Sequence, residues 1–278
     1  MSKKRLDVLL VEKSLAATRE KAKRLIMAGL VFADQQRLDK PGMQVDESIN
    51  LTVKGKLLPY VGRGGLKLEK ALKTFSLTVT DKIVMDIGSS TGGFTDCALQ
   101  NGASLCYAID VGYNQLDWKL RNDDRVIVME RTNFRYVTVG MLENGQPNFA
   151  SIDVSFISLR LLLPVLKHLL ENNSDVVALV KPQFEAGKEQ VGKKGVVRDS
   201  RVHQAVLRQI IDFAAQEKFQ ILDLTFSPIT GGDGNIEFLL HLGWEKHKPA
   251  TKDFSDHEIE SLVSEAHEAL ARKKQNNK

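Results

Sequence analysis

The segment Asp86-Ile87-Gly88-Ser89-Ser90-Thr91-Gly92-Gly93-Phe94 follows the short apolar run Ile83-Val84-Met85 and sets an acidic residue two positions before the first of three glycines. Glycines let a backbone approach a ligand closely, and the helix that follows offers N–H groups to something polar or anionic. The spacing is not the G-x-G-x-x-G of a dinucleotide site, and no Lys-Ser or Lys-Thr follows the glycines as a Walker-type phosphate loop requires. Asp110 closes the next apolar run 22 residues after Gly88, where a carboxylate can accept both hydroxyls of an adenosine ribose. That spacing alone suits NAD equally well. Four further charged residues, Lys67, Asp153, Lys181 and Glu237, are far apart in the chain, and three of them lie at or within apolar runs. Each has an ordinary explanation: a solvated strand end for lysine, a helix cap for aspartate, and the exposed face of an alternating edge strand for Glu237.

The elements that must position these groups read as alternating strands and helices. Strands are expected at Ile83–Met85, ending at Asp86, and at Leu105–Ile109, Val126–Met129, Phe149–Ile152, Val176–Val180, Phe219–Phe226 and Ile236–Leu242, with helices between most of them, notably Leu159–Leu170 and Arg201–Gln216. The pattern predicts an α/β fold, a Rossmann-like sheet with helices on both faces, whose ligands sit at the carboxyl ends of the strands. A last amphipathic helix, Phe254–Arg272, sets Ile259, Leu262, Val263 and Ala266 on one face for packing on this body, and a polar tail follows.

The chain has 278 residues, 42% hydrophobic and 27% charged, the make-up of a globular protein with room for one large core and a small second domain. The apolar run Val8–Val11 is too short for a signal-peptide core, and Leu159–Leu170 is interrupted by Arg160, Pro164 and Lys167, so neither export nor membrane spanning is expected. Cys97 and Cys106 have no metal or disulfide spacing around them. They are expected to be buried, inert thiols, with no metal site. Residues 1–60 carry a net +5 against +4 for the whole chain, so the remainder is slightly negative. A front-loaded positive charge suggests a module for a polyanion. Within it Thr18 is placed to cap a helix that turns Ala22, Leu25 and Ile26 inward and leaves Arg19, Lys21, Lys23 and Arg24 outward, and Gly29 stops it. A shorter helix over Leu6–Leu15 precedes it, and small strands at Val31–Ala33 and Ile49–Val53 follow.

Arg5-Leu6-Asp7, Thr18-Arg19, Ala22, Leu25-Ile26, Gly29, Val31, Lys40-Pro41 and Val45 resemble the S-four-type RNA-binding domain over about the first 55 residues, although Asp34-Gln35-Gln36 replaces that family's usual tight Asn-Gly turn. The Asp86–Phe94 segment resembles motif I of the S-adenosylmethionine-dependent methyltransferases. Val61-Gly62-Arg63-Gly64-Gly65-Leu66-Lys67, Asp153-Val154-Ser155-Phe156-Ile157-Ser158, Lys181-Pro182-Gln183-Phe184-Glu185-Ala186-Gly187 and Gly231-Gly232-Asp233-Gly234-Asn235-Ile236-Glu237-Phe238 resemble the TlyA group, a fusion of the S-four-type domain with an FtsJ-like ribose methyltransferase.

The resemblance implies an RNA-binding domain over 1–58, a linker and first helix over 59–80, the methyltransferase over 81–245, and a C-terminal helix and tail over 246–278. It implies S-adenosylmethionine held by Asp86, Gly88, Ser89, Thr91, Gly92, Gly93, Phe94 and Asp110, and RNA contacts from Arg5, Arg19, Lys23, Arg24 and Arg63. The catalytic tetrad of FtsJ-like enzymes maps onto Lys67, Asp153, Lys181 and Glu237. The implied reaction is 2′-O-methylation of ribose in ribosomal RNA, with Lys181 as candidate base, Lys67 as the second cation that depresses its pKa, and the two carboxylates orienting both ammonium groups. Expected partners are ribosomal RNA or ribosomal subunits, with no membrane or protein partner, in the cytoplasm. Two other classes stay open: a haemolysin, a label the group often carries, and a non-catalytic ribosome- or RNA-binding protein.

Overall fold

The computed structural model describes residues 3–55, 58–245 and 251–276, with side chains up to Arg272. The start of the expected C-terminal segment at 246–250, residues 56–57 of the connector and the last two residues of the tail lie outside the described residues. The chain forms two compact units, Met1–Pro59 and Tyr60–Lys278.

In the first unit β1 (Lys3–Arg5) leads into α1 (Leu6–Glu12), then α2 (Arg19–Met27), β2 (Val31–Ala33), β3 (Gln36–Arg37), β4 (Gln44–Asp46) and β5 (Leu51–Val53). The Thr18 side chain accepts from the Lys21 N–H at 3.1 Å, which fixes the start of α2. Ala22, Leu25 and Ile26 are buried on the α1 side of a core that includes Leu6, Leu10 and Val31. A two-residue turn, Asp34-Gln35, joins β2 to β3, with Asp34 at φ +52°. Aspartate tolerates that left-handed backbone, so the hairpin forms without glycine. Pairing of β1 with β4 has no sequence signal beyond three charged residues.

In the second unit α3 (Gly65–Thr74) is followed by β6 (Ile83–Ile87), α4 (Gly93–Gln100), β7 (Leu105–Ile109), α5 (Trp118–Arg121), β8 (Val126–Met129), β9 (Phe149–Ile152), α6 (Leu163–Leu166), β10 (Ser174–Val180), α7 (Pro182–Glu185), α8 (Ser200–Gln216), β11 (Gln220–Phe226), β12 (Phe238–Trp244) and α9 (Asp256–Asn276). The seven strands form one sheet in the order β11-β12-β10-β9-β6-β7-β8. Six of them run in one direction, and β12 alone is reversed, antiparallel to both its neighbours β10 and β11. One apolar layer packs α8 and α9 on one face, and a second packs α3 and α4 on the other. Leu159–Leu170 is not one helix. A 3-10 turn, Leu159–Leu161, precedes the short α6, because the Pro164 ring lacks an N–H and would collide with the carbonyl four residues earlier.

Candidate active site

Parallel strands deliver their carboxyl ends to one side of the sheet, and the antiparallel β12 starts on that same side. Val180 stands opposite Phe238 in the β10–β12 register, which brings Lys181, just after β10, beside Glu237, just before β12. Asp153 follows β9 one strand over, and α3 turns Lys67 inward from above. Lys67 Nζ lies 3.1 Å from Asp153 Oδ2 and 2.8 Å from Glu237 Oε2. Lys181 Nζ lies 2.6 Å from Asp153 Oδ1 and donates to Ser155 Oγ at 3.2 Å. Asp153 thus stands between the two ammonium groups, one oxygen to each.

Glu237 is 2% exposed, so the ordinary explanation of an exposed edge residue does not hold for it: β12 is an interior strand. Burial pushes the Glu237 carboxyl above its ordinary value against the pull of Lys67. Burial alone would depress Lys67, but the charges of Asp153 and Glu237 outweigh it and hold the ammonium above its usual range. Burial would likewise raise Asp153, and the two lysines overcome it and hold the carboxyl low.

The four side chains line a cavity of about 290 Å³ together with Arg63, Gly64, Gly88, Ser89 and the turn Ile229–Gly232. A wider and more apolar cavity of about 410 Å³ adjoins it, lined by Ile109, Asp110, Asn133, Phe134, Phe156 and Ile157, and the two share Gly88, Ser90, Asp153 and Ser155. Gly88 has φ +85°, and a Cβ there would lie 2.5 Å from the Asp153 carbonyl oxygen. Only glycine permits the loop to pass so close to the tetrad. The Ser90 and Gly112 N–H groups donate to Asp110 at 2.8 and 2.7 Å, fixing its carboxylate at the cavity wall.

The FtsJ-like methyltransferase family matches residues 60–244 and the S4 domain matches residues 4–48. A curated relative in Bacillus subtilis, named as a candidate rRNA methyltransferase, YqxC, is 64% identical over 272 residues, covering 98% of this chain and 97% of its own. The 16S/23S rRNA (cytidine-2′-O)-methyltransferase TlyA of Mycobacterium tuberculosis is 38% identical over 262 residues, covering 94% and 97% of the two chains. Among solved structures, a chain from Streptococcus thermophilus described as a candidate hemolysin superposes with a TM-score of 0.77 at 52% identity, covering 99% of each chain.

The chain belongs to the TlyA family of FtsJ-like methyltransferases.

Of the loop residues expected to hold a cofactor, Gly88, Ser89, Thr91, Gly93 and Phe94 line the tetrad cavity of this methyltransferase, and Asp110 lines the wider one. Asp86 does not. It lies inside β6, fully buried, accepting from the Thr95 N–H and hydroxyl at 3.0 and 2.7 Å and from the Ser151 hydroxyl at 3.2 Å. Burial raises its carboxyl to about 7. Asp86 therefore ties α4 to the sheet from behind the loop, because β6 runs two residues further than the apolar run predicts. Gly92, φ +92°, packs against Leu116 and Leu120 and shapes the loop without facing either cavity.

Arg63 is exposed at the tetrad cavity. In the first unit Arg5 and Arg19 converge on the fully buried Asp7, each at 3.0 Å. The Arg5 hydrogen bonds lead in holding that carboxyl down at about 2, with Arg19 assisting against burial. Both guanidinium groups stay about half exposed while fixed in direction. Lys23 pairs with Glu20 at 2.7 Å, and Arg24 is exposed.

Sequence reasoning missed the roles of Asp7, Ser155 and Phe156. Phe156 is 91% exposed with φ +65°, tilted against Phe184 with ring centroids 5.0 Å apart. An exposed aromatic held at left-handed backbone is a costly arrangement, and only the structure places it at the cavity rim. Cys97 and Cys106 are buried and unpaired, and burial pushes the Cys97 thiol up to about 12. Among the described residues no helix is long and apolar enough to cross a membrane, and no group of acidic, histidine or cysteine side chains could hold a metal ion.

Proposed function

We propose that this methyltransferase uses S-adenosylmethionine to methylate a ribose 2′-hydroxyl of ribosomal RNA, with Lys67, Asp153, Lys181 and Glu237 as its catalytic group. The observation that carries this reading is the convergence of the tetrad on a polar cavity that shares a wall with a second, more apolar one. An adenosine suits the wider cavity, where Phe134 and Ile157 face a ring and Asp110 keeps lone pairs for ribose hydroxyls. An amino-acid end suits the close-lying backbone of Gly88–Gly93. The relatives' names supply the nucleic-acid substrate, and the matching S4 domain supplies a module to dock on it.

When bound, the cofactor supplies an electrophilic methyl carbon. Lys181, after releasing its own proton to solvent, takes the proton of the attacking hydroxyl onto Nζ, and Asp153 Oδ1 beside it stabilises the ammonium that re-forms. Lys67 stays charged and, through its contacts to Asp153 and Glu237, locks both carboxylates in place. Phe156 offers its free face to the base of the target nucleotide at the rim. In the first unit Arg5 and Arg19, aimed by Asp7, contact phosphates together with Lys23 and Arg24, and Arg63 does so at the cavity mouth. These roles fit an enzyme that works in the cytoplasm on ribosomes or their subunits.

The test is transfer of labelled methyl from S-adenosylmethionine to intact ribosomes, isolated subunits and protein-free rRNA, followed by mapping. Label on a ribose 2′-oxygen is expected. Label on a base, or none on any of the three, would overturn the reading.

A further inference from the structure

Asn235 stands two residues before Glu237 and is 3% exposed. Its side chain reads two backbone groups of a different segment: Oδ1 accepts from the Val197 N–H at 3.1 Å, and Nδ2 donates to the Gly195 carbonyl at 2.9 Å. Its own carbonyl accepts from the Gly231 N–H at 2.9 Å, closing the turn Gly231–Asn235. That turn has open space on both sides. Ile229–Gly232 line the tetrad cavity, while Thr230, Asp233, Gly234 and Ile236 line another cavity of about 280 Å³ behind it with Val197, Arg198 and His267. A wall between two cavities cannot be held by packing alone, because atoms that face a void have no partners there.

The wall backs Glu237 directly: a Cβ on Gly231 would collide with Glu237 Oε1. Val197, the anchor for Asn235, is itself held from the other side. Its carbonyl lies 3.2 Å from His203 Nε2, and His203 Nδ1 lies 3.0 Å from His267 Nε2 on α9. With His203 donating to the carbonyl, its Nδ1 accepts from His267, so a continuous line of hydrogen bonds runs from α9 through Val197 and Asn235 to the turn behind Glu237.

We propose that Asn235 is a positioning residue for methyl transfer, holding the Gly231–Gly234 wall so that Glu237 keeps Lys67 in register with Asp153. The inference rests on the tetrad reading above. Losing the amide frees the wall to move into either cavity, and the tetrad loses its backing while the wider cavity proposed for the adenosine, which the wall does not line, stays as it is.

The experiment is single-turnover methylation of bacterial ribosomal subunits lacking the modification, by the full-length chain, in a double-mutant cycle of Asn235→Ala and Glu237→Gln. Asn235→Ala is expected to slow the step about 10- to 100-fold, with S-adenosylmethionine affinity within about twofold of the parent. In the Glu237→Gln background the same substitution should add less than about twofold, since residues acting through one another are not additive. A structural role alone would give a lowered Tm with an unchanged single-turnover rate, or equal effects in both backgrounds, and either outcome overturns the proposal. If Asn235→Ala does not fold, the isosteric Asn235→Asp, which keeps the Val197 acceptor and loses the Gly195 donor, is read in its place against the same two criteria. Full activity of Glu237→Gln alone would instead remove the tetrad reading, a failure distinct from a fully active Asn235→Ala beside a slowed Glu237→Gln.

Discussion

The two lysines of the tetrad should fail differently when truncated. Lys181→Ala leaves Asp153 paired with Lys67 at 3.1 Å and removes from the cavity wall a side chain about as buried as Lys67. The fold should lose about 1.5–3 kcal/mol, the worth of a hydrogen bond to a charged group, because Asp153 keeps its other cation. Lys67→Ala removes the lysine that pairs with both carboxylates and strands Glu237, at 2% exposure, without its cation. Breaking such a pair costs roughly 3–5 kcal/mol. In a body of this size 1 kcal/mol moves Tm by about 2–4 °C, so Lys181→Ala should melt roughly 3–12 °C below the parent and Lys67→Ala roughly 6–20 °C below it. The Lys67→Ala loss should shrink as pH falls, since the stranded Glu237 carboxyl, already raised by burial, can then take a proton. Methyl transfer should behave differently: Lys181→Ala loses the proton acceptor, for which a factor of about 10²–10⁴ is usual, equivalent to roughly 2.7–5.5 kcal/mol of barrier. Thermal melts and single-turnover methylation with saturating cofactor separate the two effects. A Lys181→Ala rate within about threefold of the parent, a barrier change below about 0.7 kcal/mol, refutes Lys181 as base, and a Lys181→Ala melt lower than that of Lys67→Ala refutes the charge pairing.

Asp110→Ala should weaken S-adenosylmethionine binding by at least tenfold in calorimetry, whereas Asp86→Asn should leave it within about twofold. Because the folded Asp86 carboxyl sits at about 7 against an ordinary 3.8, the folded state binds its proton more tightly, so this group's contribution falls as pH rises from about 4 to 7. Asp86→Asn should therefore flatten that slope in urea melts; a slope equal to the parent's would count against the burial argument. His203 runs the other way: burial holds it at about 4 against 6.5, so its contribution is full above about 6.5 and lost as pH falls through 4. His203→Gln should reduce the acid sensitivity of unfolding in that window. Replacing Arg19 and Arg24 by alanine together should lower the slope of log affinity for rRNA against log salt by about 1 for each phosphate no longer neutralised, and an unchanged slope would take both residues off the RNA.

Local pattern carried much of this protein. The period of Ala22, Leu25 and Ile26 with the Thr18 cap marked α2, and the apolar runs ending near Gly88, Asp110, Asp153 and Lys181 marked strands with polar residues at one end, because burial on two faces leaves chemistry only at the ends. Residue resemblance then named the four charged side chains as a set. What local pattern could not reach was direction and partner. Whether Glu237 is exposed or buried depends on β12 entering the sheet antiparallel between β10 and β11, a pairing made with residues some sixty positions earlier, and no period within 236–242 records it. Whether Asp86 faces a ligand or the core depends on where β6 ends, which is set by hydrogen bonds to its neighbours β7 and β9 and not by its own residues. The site's charges are likewise a tertiary property: the same lysine is a solvated strand end or a held ammonium according to which carboxylates the fold brings within about 3 Å, since desolvation and Coulomb attraction both follow distance in space and not in sequence.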